Sequence, residues 1–390
     1  MKLSYSSTKK GVASLYVVIF ATILFGVITL SFIRIILSES IQTSNDDLSQ
    51  SAYDAALAGV EDSKIAVNKY YKCLNGGGGS CSSPDVLFGG DCNDFKLKGY
   101  LNYNYSGEVL IQESASNNSD QAYTCVILSN RVSDYRSTLT SDTRTRVVPI
   151  GIGSNTLSQV KYITFSWYSE INGNQFNSLS STPSSTLGNL SEATTPPTMT
   201  LTLLKTGPRF SLDDFNDSNS GSFSTMVLLP YEDTNPNTQN VISQRQITNA
   251  GLAADSNAPF SVNCVHSEFA CTVQLGSDAS KLDFEDGGNA FLIVSMPYGD
   301  TITDFAITLR DANKKAIDFV NVQVSVDSTG RANQLFRRVE TRLDPADIFF
   351  PYPQFELELD GNGSDPLKKF FWITANCWTD RGTCDNNGSL

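Results

Sequence analysis

From Val12 to Ile33 the chain carries no Asp, Glu, Lys or Arg, and 14 of these 22 residues are Val, Leu, Ile or Phe. At ~1.5 Å per residue a helix of that length reaches about 33 Å, enough for a hydrocarbon core ~30 Å thick. Those apolar side chains favour insertion by about 4–8 kcal/mol before the polar residues are subtracted. Arg34 follows the run, where a long cationic side chain can snorkel to the headgroups. The pattern predicts a membrane-embedded helix over 12–37.

Beyond the membrane the period stays helical. The first proline is Pro84, and Gly26 and Gly59 are the only glycines between 12 and 72. Tyr53, Leu57, Val60, Val67 and Tyr71 recur at helical steps, beside a stripe of Leu48, Ala52, Ala55, Ala56, Gly59 and Ala66. Two adjacent stripes give one buried face. One continuous helix over 12–71, about 90 Å long, is expected.

The period then changes to two. Residues 72–150 form the first, α+β part of a head, starting with the glycine loop "CLNGGGGSCSSP", with strand-like runs near 96–103 and 123–128 and then "TRTRVVPIGIG". From 159 onward alternation dominates. "NVQVSVDSTG" sets Val320, Val322, Val324 and Val326 on one face, and "TDFAITLRD" does so with Phe305, Ile307 and Leu309. "FELELDG" does the same with Phe355, Leu357 and Leu359, and "FSVNCVHSEFACTVQL" reads as a hairpin stapled by Cys264–Cys271. Alternating runs between Gly/Asn/Asp turns predict half-buried strands and an antiparallel sandwich over 151–345. Residues 169–198, with 21 of 30 residues Ser, Thr, Asn, Pro or Gly, read as a mobile surface loop. Residues 346–390 form a C-terminal β/disulfide tail. The expected class is α+β: a long N-terminal transmembrane and amphipathic helix, then a disulfide-bonded, mainly antiparallel β, sandwich-like head.

Charge and cysteine content narrow the setting. With 28 basic and 41 acidic residues among 390, a net charge of −13 leaves no surplus of cations for nucleic-acid phosphates. Eight cysteines, Cys73, Cys81, Cys92, Cys125, Cys264, Cys271, Cys377 and Cys384, all follow the apolar run. Three close pairs (73/81, 264/271, 377/384) have the spacing of short disulfide loops, and no Cys-x-x-Cys zinc pattern occurs. Pairings rest on proximity, since eight cysteines allow 105 connectivities. Lys2, Lys9 and Lys10 precede the run, whereas Glu39, Asp46, Asp47 and Asp54 follow Arg34. Positive charge stays inside, so the head faces an oxidising space outside the cytoplasm. A cleavable signal peptide would have a shorter apolar core of ~7–15 residues and then a small-x-small site. Neither is present here.

The leader "MKLSYSSTKKG" ends in Gly11 directly before the apolar stretch, and "SAYDAALAGVEDSKIA" follows at 51–66. These two stretches resemble the type IV prepilin signal and the A-x-x-A-A-x-A-G-x-E segment of PilX- and GspK-type minor pilins. The match spans about residues 7–66. It implies a leader 1–11, cleavage after Gly11 by a prepilin peptidase, and an N-methylated Val12 as the new amino terminus. It also implies partners: other pilins packed along the helix, and an inner-membrane assembly platform. Most pilins carry glutamate five residues after the cut, where this chain has Tyr16. Minor pilins near the tip commonly lack it.

Catalytic chemistry has little support in the residues. The only histidine is His266, and G-x-S-x-G, H-E-x-x-H, G-x-x-x-x-G-K-[ST] and G-x-G-x-x-G are all absent. Asp91 and Asp94 flank Cys92 as surface carboxylates, and Trp372 and Trp378 lie beside a cysteine as core or ligand-stacking aromatics. GspK-type minor pilins can bind calcium, which makes Asp360, Asn362 and Ser364 of "DGNGSD" candidate ligands, with "DDFNDSNSG" at 213–221 equally loose. Asp/Asn/Gly turns look the same without metal, and no other cofactor is expected. The expectation is a non-enzymatic minor subunit of a type IV pilus or pseudopilus. The alternative is a single-span anchored binding protein that never assembles.

Overall fold

The computed structural model describes residues 10–74, 83–103, 107–112, 121–153, 157–169, 196–206, 223–235, 237–238, 241–246, 259–264, 268–284, 288–297 and 302–344. The chain divides into units Met1–Phe350 and Pro351–Leu390, the second lying outside those residues. The expected strand at 355–361, the calcium candidates Asp360, Asn362 and Ser364, Trp372, Trp378, Cys377 and Cys384 fall there. Residues 75–82, 170–195, 213–221 and His266 also lie outside the described residues.

Helix α1 runs unbroken over Lys10–Leu74, 65 residues and about 97 Å, as the absence of internal proline predicts. Its upper half lies on a four-stranded sheet built from β1 (Val109–Gln112), β2 (Gln121–Val132), β14 (Phe319–Ala332) and β15 (Leu335–Leu343), in the order β1-β2-β14-β15. All three pairings are antiparallel. The buried face is Ala52, Ala55, Ala56, Val60, Ser63, Ala66, Val67 and Tyr70. Tyr53 and Leu57 instead remain exposed, at 43% and 36%. The small stripe thus forms the contact, because only short side chains let the helix approach the sheet closely.

The other strands are β3 (Asp134–Leu139), β4 (Thr145–Pro149), β5 (Tyr162–Ser169), β6 (Met199–Thr206), β7 (Phe223–Tyr231), β8 (Ser243–Arg245), β9 (Phe260–Asn263), β10 (Phe269–Leu275), β11 (Asn289–Ser295), β12 (Thr303–Arg310) and β13 (Ala316–Ile317). They form a six-stranded sheet, β13-β12-β5-β10-β8 with β3 also on β12, and a five-stranded sheet, β4-β11-β6-β7-β9. Most pairs are antiparallel, but β8 joins β10 and β9 joins β7 in parallel. Residues from both sheets share one apolar cluster, centred on Phe165, Trp167, Phe305, Leu201 and Leu292. On β12, Phe305, Ile307 and Leu309 are buried as the alternation requires.

Four expectations need correction. Residues 96–103 are not a strand: α2 spans Lys96–Tyr100 and ends in a turn with Asn102 at φ 58°. Phe95 and Leu97 bury themselves beneath α1 from this segment, and Lys96 Nζ donates to the carbonyls of Asp85 (2.5 Å) and Phe88 (2.7 Å). The stretch 260–275 is not a hairpin. β9 and β10 belong to different sheets, so Cys264–Cys271 bridges the two sheets rather than neighbouring strands. The phase of β14 also breaks. Between Val320 and Ser325 its register against β2 jumps, with Asn321 at φ 60°, so Val320 is only half-buried while Val322, Val324 and Val326 are buried. Finally, 72–150 and 151–345 do not separate. β3 and β4 join the two-sheet part, whereas β14 and β15 return to the sheet beneath α1.

The break in β14 is where the two cores meet. Val322 belongs to the two-sheet core and Val324 to the helix-and-sheet core. Between them Gln323, 1% exposed, turns its amide onto β3: Nε2 donates to Arg136 O (2.7 Å) and Asp344 Oδ1 (2.8 Å), and Oε1 accepts Arg136 N–H (3.2 Å). A buried amide with each group satisfied pins the junction. Burial pushes the Asp344 carboxyl up, against the bond from Gln323 and the charge of Arg146. Burial acts the same way on Asp134, but Arg136 and Arg342 outweigh it and hold that carboxyl below its ordinary value.

Candidate functional site: the apolar helix and its seat

Among the described residues, nothing packs on the lower half of α1. Every large apolar side chain from Leu15 to Leu37 is exposed, between 42% (Ile28) and 70% (Phe20). Exposed apolar surface of this extent marks an interaction site, and the helix is long and apolar enough to cross a membrane. Its polar groups are arranged for such a setting. Thr22 donates to Ile19 O (2.8 Å), Thr29 to Phe25 O (2.8 Å) and Ser31 to Val27 O (2.9 Å), so each hydroxyl is satisfied on its own helix. Gly26 has open space where a Cβ would stand. Gly11 and Val12 lie within the helix; residues 1–9 lie outside the described residues. Tyr16 is 67% exposed on the bare stretch.

The upper half is clamped. A Cβ at Gly59 would meet Ser328 Oγ at 2.5 Å and Val126 Cγ2 at 2.8 Å; one at Gly330 would meet Ala52 O and Ala56 N, both at 2.2 Å. The two glycines face across the contact, one per element, and permit near backbone-to-backbone packing. Polar bonds then fix the register. Ser328 Oγ donates to Ala56 O (2.7 Å), Tyr123 and Tyr103 donate to Asp62 Oδ2 (2.7 and 3.1 Å), and Arg337 Nε donates to Ser49 Oγ (2.7 Å). Tyr71 donates to Asn321 Oδ1 at 3.4 Å near the top. Burial first, and then the Asp62 carboxylate, push the Tyr123 phenol far above its usual value. It therefore stays a donor at any physiological pH.

Cys92–Cys125 ties the segment around α2 to β2, closing the apolar cluster of Tyr70, Leu87, Phe88, Phe95, Leu97, Tyr123 and Val126. Cys73 is disulfide-bonded as well, with its close neighbour Cys81 outside the described residues. Asp91, flanking Cys92, caps its own turn by accepting the N–H groups of Asn93 (2.9 Å) and Asp94 (3.0 Å). Among the described residues no group of three His, Cys, Asp or Glu is placed to hold a metal ion.

Sequence reasoning located the helix, its exposed apolar half and the small stripe on its upper half, but missed Gly330, Ser328 and Asp62. A signal existed for the first: a glycine at an inward position of an otherwise valine-lined strand. No protein-family model matches the chain, and a comparison with curated proteins gives no match either.

Proposed function

We propose that the chain is a minor, non-enzymatic subunit of a type IV pilus-like filament or related pseudopilus, PilX-like over about residues 7–66. It is held first in the cytoplasmic membrane, leader inside and sandwich-like head outside. A prepilin peptidase cuts after Gly11, and the retained helix passes from lipid into contact with the helices of other pilins. One observation carries this reading. A single unbroken helix joins a bare apolar half, headed by Lys9-Lys10-Gly11, to a half clasped by the head. A rod of this kind serves equally as anchor and as packing surface, because side chains that face lipid also suit neighbouring apolar helices.

Tyr16 favours a tip or initiating position. A shaft subunit needs an acidic group there to neutralise the neighbouring amino terminus in an apolar core, where an unpaired charge is costly. The same residue favours the second reading, a single-span anchored binding protein that never assembles. Mass spectrometry of protein purified from membranes separates the two. A mature chain beginning at Val12, with processing abolished in Gly11→Ala, supports the pilin reading. An amino terminus at Met1, with Lys9 and Lys10 intact, leaves the anchored binding protein.

A further inference from the structure

A cleft of about 710 Å³ opens on the head where β2 ends and β14 begins, beside the β12–β13 turn and the 3-10 turn Leu157–Gln159. Its lining holds three cations, Arg131, Lys161 and Lys315, against two carboxylates, Asp311 and Asp318. In a chain of net charge −13 this local cationic excess runs against the average.

The partners of these groups sharpen the picture. Asp311 is committed to its own turn, where Oδ1 accepts the N–H groups of Asn313 and Lys315 at 2.8 Å each. Lys161 lies 3.8 Å from Asp283, a loose pair with an exposed carboxylate. Arg131 bonds through its backbone to the Ser129 hydroxyl, but its guanidinium has no hydrogen bond or ion pair among the described residues. The ammonium of Lys315 has none either. A free guanidinium fork presents two parallel N–H donors, the geometry a carboxylate or phosphate accepts. The remaining lining is mixed, with Gln159 and Asn313 polar and Ile317 and Val320 apolar.

We propose that this cleft binds an acidic saccharide. Arg131 and Lys315 take the ring carboxylate, Asp318 accepts from ring hydroxyls, and the amides of Gln159 and Asn313 bond the remainder. The volume lies within the ~300–1,000 Å³ of small-ligand clefts and far exceeds what one inorganic ion fills. The free carboxylate of Asp318 would repel a simple anion, but it suits a ligand that brings hydroxyl donors alongside its charge. Nucleic acid is disfavoured, because among the described residues no aromatic side chain lines the cleft to stack a base. This deepens the reading of the head as an exposed binding surface. The site itself does not depend on cleavage at Gly11, so its test and that of the filament reading fail independently.

The test is calorimetric titration of the full chain in detergent with trigalacturonate, neutral galactotriose and inorganic phosphate. Trigalacturonate should bind, with affinity falling at high salt. Removing the charge-assisted bonds in the double variant Arg131→Ala/Lys315→Ala should weaken it at least about tenfold. The control Lys64→Ala, on the exposed face of α1, should leave it unchanged, and Asp318→Asn should weaken trigalacturonate but not phosphate. Absent binding of trigalacturonate, binding undiminished in the double variant, or equal binding of galactotriose overturns the proposal. Phosphate binding as tightly as trigalacturonate overturns the saccharide assignment.

Discussion

Gly330 and Gly59 stand where α1 and its sheet approach each other closely, and the stability of the helix seat concentrates there. A methyl group at 330 would come within 2.2 Å of two backbone atoms of α1, and backbone cannot rotate aside as a side chain can. Gly330→Ala should therefore cost about 3 kcal/mol, the upper end for overpacked cores, read as a lowered midpoint in chemical denaturation. Gly26→Ala supplies the contrast. With open space around it, the same added methyl should leave the head's midpoint unchanged and raise helix propensity by about 1 kcal/mol. An unchanged midpoint for Gly330→Ala would mean that close helix-to-sheet packing at this position does not limit stability. The alanine stripe at 52–66 was legible from its spacing alone. Gly330 was not, because its partner lies far away in the chain (Ser328 and Ala56, which bond beside it, are 272 residues apart) and alternation says nothing about what a strand packs against.

At the scale of elements, period two identified most strands, but it carries no information on which strands pair. The segment 260–275 shows the consequence. Two alternating runs with cysteines seven apart read as a hairpin, yet the chain crosses from one sheet to the other between them. The same blindness applied to 96–103, where Phe95 and Leu97 fill a core beneath α1 and the backbone coils to place them. Because Cys264–Cys271 spans the two sheets, it acts on their seam. Closing a loop this short contributes about 2.5 kcal/mol on the chain-entropy model. The double variant Cys264→Ala/Cys271→Ala should lose about that much. In hydrogen exchange, the backbone amides at Val262 and at position 264, on the β7–β9 edge, should lose protection first. The interior β5–β10 and β5–β12 ladders should keep theirs. Uniform loss across both sheets would mean that the bridge does not act locally.

In the whole molecule, the unexpected feature is that two apolar cores share two strands. β2 carries Tyr123, Val126 and Leu128 in the helix-and-sheet core and Val132 in the other; β14 carries Val324 and Val326 in the first and Phe319 and Val322 in the second. A sequence reading that cut the head at residue 150 missed this, because β14 and β15 return after more than 180 residues to a sheet that β1 and β2 began. Shared strands bear on cooperativity. Melting either core frees a strand that the other needs, so the head should unfold in one transition. Two probes test it. Trp167, buried and stacked on Phe165, reports the two-sheet core once Trp372 and Trp378 are replaced by phenylalanine, while helical circular dichroism reports α1 on its sheet. Val324→Ala, a cavity in the helix-side core alone, should cost about 2 kcal/mol and move both signals by the same amount. If only the circular dichroism moves, β14 does not couple the cores, and the junction at Gln323 is a hinge instead of a weld.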